Sequence, residues 1–146
     1  MKTFATLFSG GEGVGVGLQA AGLSHLWGVE YDSQIAAVAQ GNGFDVTVAD
    51  VRDVDYGAMP RADWLHASPS CTRASVANAN ATEAQEDIDA AKAVCRALAA
   101  QQEAFEAHCL KAALTRHKGD IKAVLAELQL PRRTLNEKMQ RHGLTR

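Results

Sequence analysis

A chain of 146 residues with 47% hydrophobic side chains can build one domain or two small ones, which excludes a disordered tail. No apolar run approaches the ~20 residues of a membrane span, the first residues lack the apolar core of a secretion signal, and three widely spaced cysteines exclude a simple disulfide framework and fit a reducing cytosol. The net charge of −2 hides an asymmetry: residues 1–100 hold 6 Lys/Arg against 12 Asp/Glu, and residues 101–146 hold 9 against 5, so an acidic half precedes a basic one.

In chain order, a short apolar run within Met1–Phe8 leads into Gly10, Gly11, Gly13, Gly15 and Gly17. Leu18–Gly22 reads as the end of a helix with glycine just past it. His25–Glu30 reads as a second strand ending in a carboxylate, Ser33–Gln40 as a second helix, and Phe44–Val48 as a third strand before Ala49-Asp50. Ala62–Ala67 is expected as a fourth strand, buried by Trp64 and Leu65. Strand and helix alternate in the way a parallel sheet requires. A glycine-rich turn after the first strand presents amide donors to a ligand, and an acid 20 residues after Gly10, Glu30, stands where such folds bind a ribose.

Ser68-Pro69-Ser70-Cys71 follows the fourth strand, and here the chain resembles the DNA cytosine-5 methyltransferases. Phe8-Ser9-Gly10-Gly11-Glu12-Gly13, with Gly17-Leu18 and Ala21-Gly22, is similar to their first motif. Glu30-Tyr31 is similar to the second, Asp50-Val51 to the third, and Pro69-Ser70-Cys71 to the Pro-x-Cys of the fourth. The stretch from Ala74 to Leu98 resembles the loop and helix that follow that cysteine. The resemblance implies S-adenosylmethionine as cofactor, held by Phe8, Ser9, Gly10, Gly11, Gly13, Glu30, Tyr31, Asp50, Val51 and Pro69. Glu30 would hold the ribose, Tyr31 would pack on the adenine, and Asp50 would take its amino group. Cys71 would be the nucleophile that adds to carbon 6 of a flipped-out cytosine, which activates carbon 5 for the methyl group. Cys95 and Cys109 read as packing residues on a helix face.

Two features depart from that family. Glu12 replaces a glycine of the first motif and is expected to add a carboxylate near the methionine end of the cofactor. The family's Glu-Asn-Val acid, its Gln-x-Arg-x-Arg motif, its target-recognition domain and the last strands of its sheet have no counterpart in this sequence. A half sheet of this kind exposes an unpaired edge.

From Gln101 the period is helical: Phe105, Cys109 and Ala112-Ala113 form one stripe, with Leu110 and Leu114 beside it. Asp120 is placed to cap a short helix whose inner face is Ile121, Val124, Leu125 and Leu128. Gln129-Leu130 makes a tight connection and Pro131 starts the next helix. In that helix Leu135 and Met139 are expected to face inward, with Arg132, Arg133, Thr134, Asn136, Lys138 and Arg141 outward. Two short helices with a basic outer face make a helix-turn-helix. The segment resembles the Fis-type domain of the nucleoid protein Fis and of NtrC-type activators at Phe105-Glu106, Leu110, Ala113-Leu114, His117, Gly119-Asp120, Ala123, Leu128 and Leu130–Leu135. The match continues at Lys138 and His142-Gly143. This resemblance implies sequence-specific binding of double-stranded DNA as a homodimer, with Arg132, Arg133, Thr134, Asn136, Lys138 and Arg141 as the DNA-facing set. Gln129 stands where that family commonly has glycine.

The expected fold class is therefore α/β: a partial Rossmann-like parallel sheet over 1–100, then an all-α Fis-type helix-turn-helix over 101–146, with no glycine- or proline-rich linker between them. The leading functional reading is a cytoplasmic, nucleoid-associated DNA-binding protein fused to a partial methyltransferase fold that is inactive alone. The alternatives are one subunit of a split cytosine-5 methyltransferase completed by a second chain, and a regulator that senses S-adenosylmethionine. No metal ligand set and no membrane partner are expected.

Overall fold

The computed structural model describes residues 2–69 and 85–144. It divides into two compact units, Met1–Gln101 and Gln102–Arg146. The first contains β1 (Thr3–Leu7), α1 (Gly13–Ala20), β2 (Ser24–Glu30), α2 (Ser33–Gly41), β3 (Val46–Val48) and β4 (Trp64–Ala67). The helix α3 (Gln85–Arg116) runs unbroken through residue 100, and α4 (Ile121–Leu128) and α5 (Arg132–Arg141) follow. All four strands are parallel, in the order β3-β2-β1-β4. The order reverses beside β1, so the carboxyl ends of the strands open at a switch point, where sheets of this class bind ligands.

Side chains of β1 alternate between two cores. Phe4 packs with Ala36, Ala39, Phe44 and Val46 on one face. Ala5 and Leu7 pack with Trp27, Val29, Val51, Tyr56, Ala93 and Ala97 on the other. A bulge lets both faces fill: Phe4 is in register with His25 but Ala5 with Trp27, so Leu26 is the extra residue. His25 and Trp27, two apart, would otherwise share a face. Instead the His25 ring sits edge-on between Phe4 and Phe44, with centroids 5.1 and 5.0 Å away. Trp27 joins the opposite core and donates to Pro60 O at 2.8 Å. The α2 helix begins where the Asp32 carboxylate accepts from the amides of Gln34 and Ile35.

Three packing expectations are corrected. Trp64 is 57% exposed rather than buried, because β4 is an edge among the described residues and its only paired neighbour there is β1. Cys95 is exposed, and Phe105 is 49% exposed. The buried stripe of the second unit is Leu110 and Ala113, which pack with Val124, Leu135 and Met139. Among the described residues no helix is long and apolar enough to cross a membrane.

Candidate functional sites

The glycine turn after β1 is fixed by backbone bonds. Ser9 N–H donates to Val29 O at 3.1 Å and Glu12 N–H donates to Ser9 O at 3.0 Å. The turn needs left-handed backbone at Phe8, Gly10 and Glu12, with φ of 56°, 57° and 62°. It aims the Gly10 amide at the Glu30 carboxylate, which accepts at 2.8 Å through Oε2, while Oε1 accepts from Asp32 N–H at 3.0 Å. Each carboxylate oxygen carries two acceptor positions, so Glu30 keeps capacity for a pair of hydroxyls.

Around Glu30 lies a cleft of about 320 Å³, lined by Phe8, Tyr31, Asp50, Val51, Arg52, Glu86 and Ala90. Four of the sequence-expected ligand residues besides Glu30 therefore meet there: Phe8, Tyr31, Asp50 and Val51. Tyr31 is 75% exposed and presents an open ring, whereas Val51 is buried. Gly11 and Gly13 are exposed at the start of α1, and the Ser9 hydroxyl is buried with no hydrogen-bond partner among the described residues. Pro69 is exposed beyond the carboxyl end of β4, and Cys71 lies outside the described residues.

The sequence reading missed the arrangement of two residues, Arg52 in this cleft and Glu12 outside it. The Arg52 guanidinium lies side-on to Asp50, with Nε 2.9 and 3.0 Å from the two carboxylate oxygens and Nη2 2.5 Å from one. That hydrogen bonding holds the Asp50 carboxyl below its ordinary range. Glu12 does not reach toward a cofactor. It is fully buried, accepts from the Thr6 hydroxyl, and lies 3.4 Å from His25 Nε2. Its carboxylate fills a notch that exists because Gly15 and Gly28 lack side chains; a Cβ on Gly28 would come within 2.9 Å of it. The hydroxyl of Thr6 on β1 satisfies Oε1, while Oε2 and the facing His25 Nε2 on β2 are buried with no hydrogen-bond partner among the described residues.

In the second unit the Asp120 side chain caps α4 by accepting from the amides of Lys122 and Ala123. The chain then turns through Gln129 in the left-handed region, and Pro131 caps α5. Arg132, Arg133, Asn136 and Arg141 are exposed on α5. Thr134 and Lys138 are half-buried rather than outward. For Lys138 the reason is Glu106 on α3, whose carboxylate accepts from Lys138 Nζ and contacts His142 Nε2 at 2.9 Å. Glu127 on α4 plays a similar part toward Arg116 and His117. An apolar groove of about 270 Å³ runs beside exposed Phe105, lined also by Cys109, Leu128 and Leu130. Among the described residues no cluster of three or more His, Cys, Asp or Glu could hold a metal ion.

Residues 2–104 match the family of C-5 cytosine-specific DNA methylases, and the chain belongs to that family. Residues 101–142 match a second family, the Fis family of bacterial regulatory proteins. A 44-residue stretch is 52% identical to the C4-dicarboxylate transport transcriptional regulatory protein DctD of Rhizobium meliloti (strain 1021), covering 30% of this chain and 10% of that protein. The chain thus matches about a tenth of the length of this curated relative.

Proposed function

We propose that this protein is a sequence-specific DNA-binding homodimer whose Fis-type unit is fused to a partial methyltransferase unit, acting in the cytoplasm on the nucleoid. The observation that carries the reading is α5 itself: Arg132, Arg133, Asn136 and Arg141 stand exposed on one short helix whose inner side is fixed by buried Leu135 and Met139. Such a helix enters the major groove and offers guanidinium groups to phosphates and to guanine edges. The basic charge of residues 101–146 adds a sequence-independent attraction. Phe105, exposed beside the apolar groove, supports a second copy as the partner of α3.

The test is DNA affinity across a salt series. Arg132→Ala with Arg133→Ala weakens binding and flattens the salt slope by about 0.9 for each phosphate that is no longer neutralised. Unchanged affinity and slope would sink the reading.

A second reading is favoured by the cleft around Glu30. Its residues fit S-adenosylmethionine: Glu30 has acceptor capacity for ribose hydroxyls, the open Tyr31 ring would pack on an adenine, and Val51 gives the same cleft an apolar wall. Asp50 fits the adenine amino group only when it shares its carboxylate with Arg52. Bound there, the cofactor would supply an electrophilic methyl group. Methylation itself additionally needs the Cys71 thiolate and an acid from a second chain, so this unit alone serves as a cofactor-binding subunit or sensor.

A further inference from the structure

We propose that Glu106 and Lys138 form a lock that sets α5 against α3 within the second unit, and that Lys138 is a positioning residue that takes no part in gripping DNA. The inference rests on the DNA-binding reading of α5 and corrects the set of residues that carry it.

Two cations and a histidine at the end of α5 surround one carboxylate. Glu106 accepts from Lys138 Nζ through Oε2 and contacts His142 Nε2 at 2.9 Å through Oε1, with Arg141 Nη1 4.0 Å away. Lys138 and His142 are four residues apart, so they lie on one flank of the helix. That flank is turned inward. The Lys138 and Glu106 side chains are each 24% exposed, the His142 side chain is 11% exposed, and the neighbouring Leu135 and Met139 are buried. Arg133 is the contrast. It also meets a carboxylate, Glu137, but its side chain is 91% exposed. A surface pair of that kind exchanges readily for a phosphate. A half-buried ammonium held against a half-buried carboxylate does not, because its departure takes from Glu106 the hydrogen bond it accepts at Oε2 and leaves that oxygen half-buried without it.

The lysine's charge is already neutralised before DNA arrives, so it displaces no counterion. Salt dependence reads this directly, because each ammonium or guanidinium that newly meets a phosphate adds about 0.9 to the slope of log affinity against log salt.

The experiment uses the full chain and a short mixed-sequence duplex, with salt series and melting curves for Lys138→Met, Glu106→Gln and the double variant. The expected result is an unchanged salt slope for Lys138→Met, a lowered Tm for each single variant, and a double variant no less stable than the worse single. Should Lys138→Met melt below the working temperature, Lys138→Gln with Glu106→Gln, a neutral hydrogen-bonded pair, takes its place in the salt series. A slope that falls by about 0.9 with Tm unchanged overturns the proposal. So do Tm losses that simply add. Arg132→Ala with Arg133→Ala is the control: if that pair leaves the slope untouched, the DNA-binding reading fails, and the Tm cycle alone still decides the lock.

Discussion

Gln129 sits at φ 52° and ψ 37°, in the left-handed region at the end of α4. An L side chain there costs roughly 1–2 kcal/mol, which glycine avoids. Glycine in turn loses more chain freedom on folding, so the net gain from the replacement is smaller. Gln129→Gly is expected to stabilise the second unit by about 0.5–1 kcal/mol, read as a raised urea midpoint at constant slope; an unchanged or lowered midpoint would show that the glutamine side chain contributes stability that offsets its backbone strain. Glu12, at φ 62°, is a different case. Its side chain is fully buried against Thr6 and His25, so a glycine there relieves strain but takes away the acceptor of the buried Thr6 hydroxyl. The unusual backbone at both positions was legible in sequence, since each stands where a family glycine is expected. The direction of the Glu12 side chain was not, because it depends on the side-chain-free notches at Gly15 and Gly28, on separate elements.

At the scale of elements, alternation located β2, α2, β3 and β4 to within a few residues, and the glycine after α1 marked its end. Asp120 caps α4 as its position in the sequence implied, the Asp32 cap of α2 was not read, and β3 and β4 are merely shorter than their apolar runs. The bulge at Leu26 escaped notice because a bulge leaves no periodic signature. Pairing with β1 reveals it. Helical periodicity put Phe105, Cys109 and Ala112-Ala113 on the core stripe; Ala113 is buried there, but its buried companion is Leu110, beside that stripe, so the core line is turned away from Phe105. The same rotation brings Glu106 over α5. The Lys138 hydrogen bond, followed by that of His142, holds the Glu106 carboxyl below its usual range, and the His117 hydrogen bond does the same for Glu127. A carboxyl whose folded value is depressed contributes stability that is present above its unfolded value, near 4.5, and lost as pH falls through the folded one. The α3–α4–α5 unit should therefore melt at lower temperature as pH drops below about 4.5, and Glu106→Gln should flatten that dependence. Melting curves of the two proteins that stay parallel from neutral pH into acid would contradict the assigned charge pairing.

In the whole molecule, helix α3 contributes to a core of each unit, Ala93 and Ala97 to one core of the first and Leu110 and Ala113 to that of the second. The first core closes over a sheet whose β4 edge bears an exposed Trp64, yet its cleft residues already converge on Glu30. Composition could show that the halves differ in charge, and motif spacing could bring Phe8, Glu30, Tyr31 and Asp50 to one cleft. Neither could show Arg52 across the Asp50 carboxylate, which depends on the turn after β3. If the cleft takes S-adenosylmethionine, ligand binding must stabilise the unit that holds it, by about 2.7 kcal/mol at a concentration 100 times Kd. For a unit of this size that is a rise of roughly 10–20 °C in Tm. Scanning calorimetry of the full chain should show the rise in the transition of the first unit alone, with the transition of the second responding only to DNA. Glu30→Ala, compared with its own unliganded scan, should lose the response to S-adenosylmethionine while keeping the response to DNA. A first-unit transition indifferent to the cofactor in the unsubstituted chain would leave the cleft without the ligand its residues fit. A single transition moved by both ligands would instead mean that the two cores unfold together through α3.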